Sequence, residues 1–339
     1  MSSIASTSPV ADFRVSVEEQ LLRDSMREMA VAHWSAAQAR ATLEDPAPAA
    51  SAWPRLAEWV GVVETGAVAT CIAAEEAGAA LLPGELLGAW AFAGLLAALE
   101  HPLAPDAVAG ELPGAVAYAP GDGRLVLPGP GDGPVLSVTE GPIALTGPGA
   151  LTAIATADLT RRFATVEVPP DAERLEPADP VALAAWAGTV ALAAGADGLG
   201  ACRTLLATTV EYAGSRKQFG RPIGTFQAVR HRLVDLALAL ERATASTYFA
   251  AMLVDAGDPD ADRAVHAARA SAGDAIARFT RGAVQLHGAI GYTWEHDVHL
   301  YVRRAYVSDR LFGSGGWRRA RLAAAILEPV DARERGEER

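Results

Sequence analysis

The sequence is short of cysteine, of net positive charge and of long apolar runs, and each shortage removes a class of protein. Only two cysteines occur in 339 residues, Cys71 and Cys202, and they are far apart. No disulfide framework or zinc-type spacing is present, which suits a reducing cytoplasm. The net charge is −12, so nucleic acid and anionic membrane are not the expected partners. The uncharged, apolar runs 86–99 and 181–196 are too short to span a bilayer and read as helices buried in a core. Residues 1–10 lack a basic segment followed by an apolar one, so no signal peptide is expected. No Gly-x-Ser-x-Gly nucleophile turn occurs. The Gly-rich stretch 313–316 lacks the Lys-Ser/Thr of a phosphate-binding loop, so nucleotide hydrolysis is not expected. No carboxylate pair or Cys/His pair stands out as catalytic. What remains is a globular chain, 50% apolar and 21% charged, long enough for two or three domains.

The order along the chain is helices, then strands, then long helices. Residues 1–14 read as a loose tail. From Ser16 an amphipathic helix opens with a capping-box pattern, Ser16 and Glu19. A Pro/Ala-rich linker is expected over 43–52, a short helix over 53–60, and helices over 67–78 and 84–99. Six short β-prone runs follow at 115–118, 124–127, 135–139, 143–146, 152–156 and 163–168, separated by Gly-Pro-Asp turns. That spacing predicts a small antiparallel sheet or barrel. Helices resume at Pro180, with a long Ala-rich helix, or a kinked pair around 195–200, over 181–213. Val229, Leu233, Leu236 and Leu240 recur at helical spacing, as do Ile276, Phe279 and Ala283. A last helix is expected over 317–327 and a charged tail over 333–339. The fold class is α+β, mainly α. The expected divisions are an N-terminal helical domain at 1–102, a reduced β-domain at 103–175 and a C-terminal helical bundle at 176–339.

Residues 215–227 hold the densest polar chemistry. Arg216, Gln218 and Gln227 share one interhelical loop with a Phe219-Gly220 turn. Arginine is well shaped to grip a phosphate through two parallel hydrogen bonds, so the loop reads as anion-binding or as a solvated hinge. The stretch 285–292, with Gly288 and Gly291, allows close approach of backbone to a ligand or forms an ordinary helix cap. Glu295, His296 and His299 lack a third well-placed ligand and read as a polar surface rather than a metal site. Glycines 313–316 before a helix start suit an anion; Arg318, Arg319 and Arg321 beyond them read as a solvated face or a partner contact.

Residues 216–227 (RKQFGRPIGTFQ) and 283–297 (AVQLHGAIGYTWEHD) together resemble the two C-terminal signatures of the acyl-CoA dehydrogenases. The resemblance is specific over 180–327 and weaker over 16–100. It implies a helical domain, a β-domain and a C-terminal four-helix bundle. It implies FAD bound between neighbouring subunits, and an α-proton removed from an acyl-CoA while hydride passes from Cβ to the flavin. By this resemblance Arg216, Phe219 and Gln227 face the ADP half of FAD held mainly by a neighbouring subunit. Gln285, Leu286, His287, Gly288 and Ala289 do likewise, with Ala289 where the family has a second glycine.

Other family features are missing. There is no tryptophan between Trp90 and Trp186 and no acidic Thr-Glu-Pro-type segment, so the flavin-ring contacts of the β-domain are absent. The two family positions for the catalytic glutamate fall on Gly316 and near Val190, and without a carboxylate there α-proton abstraction has no agent. No catalytic residue is therefore assigned. The combination resembles the smaller, non-catalytic subunit of the heteromeric α2β2 acyl-CoA dehydrogenases of actinobacterial steroid catabolism. The resemblance implies a catalytic partner subunit that binds most of the acyl-CoA, with a steroid (cholesterol) side-chain thioester as substrate. Two alternatives stay open: a self-sufficient dehydrogenase with a displaced base, Asp309 or Asp235, and a flavin-free scaffold of the same fold.

Overall fold

The structure is a computed structural model that describes residues 16–118, 125–127, 133–138, 142–147 and 151–334. The expected tail 1–14, the turn at 120–123 and residues 335–339 lie outside the described residues.

Helix α1 (Val17–His33) starts where the capping box placed it. The Ser16 hydroxyl accepts from the Glu19 N–H at 3.1 Å and the Glu19 carboxylate accepts from the Ser16 N–H at 2.7 Å. The expected linker at 43–52 is instead the approach to a helix. After α2 (Ala36–Ala41), α3 spans Ala47–Ala57 and carries a proline in its first turn. Proline there gives up an N–H the helix does not use, so a Pro/Ala-rich stretch can be helical. Helices α4 (Ala67–Ala80) and α5 (Glu85–Ala98) are buried on nearly every face, as their all-round apolar composition requires. A short α6 (Ala104–Val108) precedes the sheet.

Among the described residues the sheet has seven strands in the order β5-β6-β2-β1-β3-β4-β7. They are β1 (Ala115–Tyr118), β2 (Leu125–Leu127), β3 (Val135–Val138), β4 (Ile143–Thr146), β5 (Leu151–Ile154), β6 (Phe163–Val166) and β7 (Glu173–Leu175). Two expectations are corrected. The β1–β3 pair is parallel, whereas the other ladders are antiparallel. The edge strand β7 is a further element; its Glu-Arg-Leu sequence has no β-branched or aromatic residue to mark it.

Helix α7 (Pro180–Ser215) is one unbroken helix of 36 residues, not a kinked pair. The Asp179 carboxylate caps it, accepting from the Val181 N–H at 2.8 Å. It crosses α4 backbone to backbone. A Cβ on Gly78 would lie 1.9 Å from the Asp197 carbonyl oxygen, and one on Gly200 1.8 Å from that of Glu75. The glycines thus serve helix contact, not bending. Helices α8 (Gln227–Asp255), α9 (Ala261–His287) and α10 (Val298–Ser308) complete a four-helix bundle with α7. Its core holds Leu199, Cys202 and Leu205 from α7, Leu236 and Leu240 from α8, Ile276 and Phe279 from α9, and Val298 and Ala305 from α10. A final helix, α11 (Gly315–Glu334), lies against α9 and is longer than the stretch expected.

Candidate cofactor-facing site

Helix α7 ends at Ser215 and the chain turns through a two-strand hairpin, β8 (Lys217–Gln218) and β9 (Arg221–Pro222), before α8 begins at Gln227. The two turn residues are Phe219 and Gly220, with φ of 53° and 77°. Positive φ at both central positions makes a type I′-like turn, where Asn and Gly are the usual choices. A bulky aromatic there is strained, and Phe219 is 92% exposed. Its ring meets the Phe226 ring edge-on at 6.1 Å, and the Arg221 guanidinium lies over Phe226 at 4.3 Å. Strain spent on holding an aromatic in solvent points to a contact made outside this chain.

Arg216 is the C-cap of α7. Its backbone is fixed at both ends, N–H to the Tyr212 carbonyl at 2.8 Å and C=O from the Ile223 N–H at 2.8 Å. Its side chain is exposed and has no ion pair or hydrogen bond among the described residues. Gln227, at the first turn of α8, and Gln285, two residues from the end of α9, are also exposed.

One stack joins the two motifs. Tyr212, one turn before Arg216, lies face to face with His287 at 4.6 Å, and its hydroxyl donates to the His287 carbonyl at 3.3 Å. The hairpin and the α9 terminus therefore meet at one end of the bundle. Gly288, with φ of 66°, ends α9, and both it and Ala289 are exposed. Leu286 is half-buried, while His287 is 3% exposed and points inward. The His287 imidazole is thus engaged in the stack on Tyr212 rather than turned outward.

The hairpin and the last turns of α9 are locally basic. From 212 to 234 the sequence contains Arg216, Lys217, Arg221, Arg230 and Arg232 and no acid; from 275 to 294 it contains Arg278 and Arg281 and no acid. In a chain of net charge −12 this is a local reversal that attracts a phosphate-bearing ligand.

His287 and His299 form a buried cluster with His296. The His287 Nδ1–H donates to the Ala283 carbonyl at 2.9 Å, and its Nε2 has no partner among the described residues. Among the described residues neither nitrogen of His299 has a partner, and its ring packs edge-on to Trp294 at 4.7 Å. Burial, more than the neighbouring His296, lowers the His287 pKa; burial, then Arg303 and Arg40, lowers that of His299. An unfolded histidine titrates near 6.5, so the unfolded chain binds more protons just below that pH. Stability from these neutral rings is complete above about pH 6.5 and falls as the pH drops. The melting temperature should therefore fall between about pH 7 and 5.5. His287→Asn, which keeps a donor for Ala283, should flatten that fall; an unchanged pH profile in the variant would exclude the cluster as its source.

The two positions where a base is expected differ: Val190 is buried, whereas Gly316 is exposed and a Cβ there would meet only the Ser314 hydroxyl, at 3.9 Å. Gly316 lies in the first turn of α11, and the turn before it is held from three sides. Arg269, fully buried, donates through one nitrogen to the carbonyls of Ser308, Asp309, Leu311 and Gly313. Arg318 donates to the Phe312 carbonyl at 2.5 Å. The Phe312 ring packs on Tyr118 at 5.3 Å, and Tyr118 packs edge-on to Trp186 of α7 at 6.1 Å. Asp309 is engaged elsewhere, accepting from the Gly315 N–H at 3.0 Å and pairing with Arg310 at 3.2 Å. Asp235 lies on α8, lining a groove with residues of α9.

Val190 is buried and lines a cavity of about 340 Å³ with Trp90, Trp186, Thr70 and Asp255. Asp255 is its one carboxylate among the described residues, and sequence reasoning missed it. Burial raises its pKa, against two backbone hydrogen bonds that lower it. It accepts from the Val68 N–H at 3.0 Å and the Ala67 N–H at 2.6 Å, so it caps α4 from 187 and 188 residues away. No local pattern can show such a pairing. Among the described residues no group of three or more metal-binding side chains gathers. His296 uses Nδ1 to accept from the Val298 N–H at 3.2 Å.

Residues 188–327 match the family model "Acyl-CoA dehydrogenase, C-terminal domain". Acyl-CoA dehydrogenase IpdE2 of Mycobacterium tuberculosis is 34% identical over 330 residues, covering 92% of this chain and 98% of its own length. IpdE2 of Mycolicibacterium smegmatis is 32% identical over 337 residues, covering 92% of this chain and 100% of its own. The ChsE4–ChsE5 complex of Mycobacterium tuberculosis has the same fold, with a TM-score of 0.78 at 22% identity over 94% of this chain and 99% of that one. So does the Tcur3481–Tcur3483 steroid ACAD in its G363A variant, with a TM-score of 0.75 at 23% identity over 93% and 99%. With a relative above 30% identity along nearly the whole chain, the protein belongs to the acyl-CoA dehydrogenase family.

Proposed function

We propose that this chain is the non-catalytic subunit of a heteromeric, FAD-dependent acyl-CoA dehydrogenase of the α2β2 type. A homologous catalytic partner supplies the base and binds most of the acyl-CoA. One contrast carries the reading. The cofactor-facing donors Arg216, Gln227 and Gln285 stand exposed on the loop and helix ends at one end of the bundle, while the two base positions are Gly316 and a buried Val190.

The donor set suits FAD. Arg216, with its backbone fixed and its guanidinium free, meets a pyrophosphate by charge-assisted hydrogen bonds. Phe219 offers a ring face for an adenine, and Gln227 and Gln285 offer amides for its edges. The backbone of Leu286, His287, Gly288 and Ala289 lines the same end. When bound, the flavin supplies the hydride acceptor. The chain's own work is to hold the dinucleotide and orient it toward the partner. The proposed substrate is a bulky steroid-derived acyl-CoA, a cholesterol side-chain thioester in the first instance. The similar Tcur3481–Tcur3483 steroid ACAD supports that reading, and it and the ChsE4–ChsE5 complex, each named for two chains, support the heteromeric assembly. The buried free cysteines fit a cytoplasmic setting.

The visible spectrum of the purified chain, alone and co-expressed with its catalytic partner, is the test. No flavin alone and one FAD per pair of unlike chains is the expected result. One FAD per isolated chain with acyl-CoA turnover would overturn it and favour the self-sufficient reading, with Asp255 as the carboxylate to replace first. No flavin in any assembly would favour the scaffold. Arg216→Ala should weaken FAD retention by the pair about tenfold or more, the usual effect of a lost charge-assisted hydrogen bond. Unchanged flavin content would remove Arg216 from the site.

A further inference from the structure

Between α8 and α9 runs an open groove of about 480 Å³, lined by Arg232 and Asp235 from α8 and by Asp274, Arg278 and Arg281 from α9. Asp274 is already paired with Arg319 at 2.6 Å. The guanidinia of Arg232, Arg278 and Arg281 have no hydrogen bond, ion pair or ring contact among the described residues. Three unpartnered cations thus share one groove with one uncommitted carboxylate, in a chain where acids outnumber bases 41 to 29.

Two features argue against an idle surface. Arg278 and Arg281 are three apart on one helix, a like-charge spacing that costs helix stability unless something offsets it. Arg281 and Gln285 are four apart on the same face of α9. The groove therefore runs toward the end of the bundle where the hairpin stands. The two helices pack closely at Gly282, where a Cβ would lie 3.2 Å from the Leu236 side chain. The helices run antiparallel, so Arg232 lies on the hairpin side of that crossing, across from the last turn of α9.

We propose that this groove binds the phosphates of a nucleoside diphosphate, with Arg232 and Arg281 as the gripping pair and Arg278 as the second cation of the α9 wall. Arginine forks from two facing helices suit the several oxygens of a diphosphate better than a single carboxylate. The inference rests on the cofactor reading above and extends it. The phosphate load at this end of the bundle is carried by the groove arginines as well as by Arg216.

The test uses the full-length chain and the co-expressed pair. ADP, AMP and inorganic pyrophosphate are titrated calorimetrically into the isolated chain, at low and at high salt. ADP and pyrophosphate are expected to bind more tightly than AMP, with affinity falling as salt rises. Arg278→Ala/Arg281→Ala should weaken ADP binding about tenfold or more, and Arg232→Gln should weaken it in an independent background. These side chains are exposed, so circular dichroism should show the variants folded. If the lone chain does not stay in solution, flavin loss from the pair on dialysis is read instead and should be faster in the same variants.

Binding of ADP unaffected by the arginine variants, with flavin loss also unchanged, would overturn the proposal. So would variants that weaken only assembly of the pair, which would mark the groove as a seat for an acidic segment of the partner. The two readings fail separately. A pair without flavin, beside arginine-dependent ADP binding by this chain, sinks the cofactor reading and leaves the groove standing. A yellow pair with wild-type ADP affinity in the variants does the reverse.

Discussion

Asp197→Ala is expected to cost about 3–5 kcal/mol of stability, the usual result of removing one partner from a buried ion pair. Asp197 is 1% exposed, in the middle of α7. Its carboxylate accepts from Arg161 at 2.6 Å, from Ser308 at 2.6 Å and from Arg304 at 2.8 and 3.1 Å. Arg161 lies in the loop before β6 and Arg304 in α10, and both are buried. One carboxylate therefore ties the sheet and α10 to the central helix. Burial alone would raise its pKa, but the two guanidinia outweigh burial and hold it below the usual carboxylate range. Deleting it leaves two buried cations sharing only Asp158, which is 3.6 Å from Arg161. A single domain holds some 5–15 kcal/mol in all, so the variant should yield little soluble protein or melt far below the wild type. A loss below about 1 kcal/mol in chemical denaturation would mean that water enters and solvates the arginines. The same depressed pKa makes this stability present above the unfolded carboxylate pKa and lost as the pH falls through the folded one.

That network was invisible in the sequence. Asp197 stands in an Ala/Gly-rich stretch that reads as a weak point, and its partners lie 36 and 107 residues away. Local signals served better where the physics is local. Ser16 and Glu19 marked the start of α1, and both capping bonds are present. The β-prone runs marked six strands, while β7 carries no such mark and forms through its pairing with β4. The donor-rich loop of Arg216 and the glycine at position 316, on which the proposal rests, could be read directly from the sequence. The strain at Phe219, the stack of Tyr212 on His287 and the aromatic packing of Tyr118, Phe312 and Trp186 needed the tertiary structure. So did Asp255, whose role depends on the start of α4 lying against the end of α8.

Gly200→Ala tests the other long-range feature, and a second glycine on the same helix is its control. At Gly200 a new Cβ would lie 1.8 Å from the Glu75 carbonyl oxygen and 2.9 Å from the Ala79 nitrogen, both backbone atoms of α4. No rotamer relieves that overlap, so α4 and α7 must part. Overpacking a close-packed core usually costs about 1–3 kcal/mol, and here the displaced atoms belong to a helix backbone, so the loss should reach or exceed the top of that range. The rest of α4 is pinned beside the crossing. Glu75 and Glu76 are bound by Arg23 from α1 and by Arg203 from α7, with Tyr248 of α8 on Glu75. Separation at Gly200 would strain all of these pairs together. At Gly214 a Cβ meets nothing within 4 Å, and alanine there only removes backbone freedom from the unfolded chain. Gly214→Ala should be neutral or stabilising by about 0.5–1 kcal/mol. Thermal melts of the two variants should therefore move in opposite directions although the substitution is identical. Equal shifts would mean that α4 and α7 do not cross at Gly200 in solution.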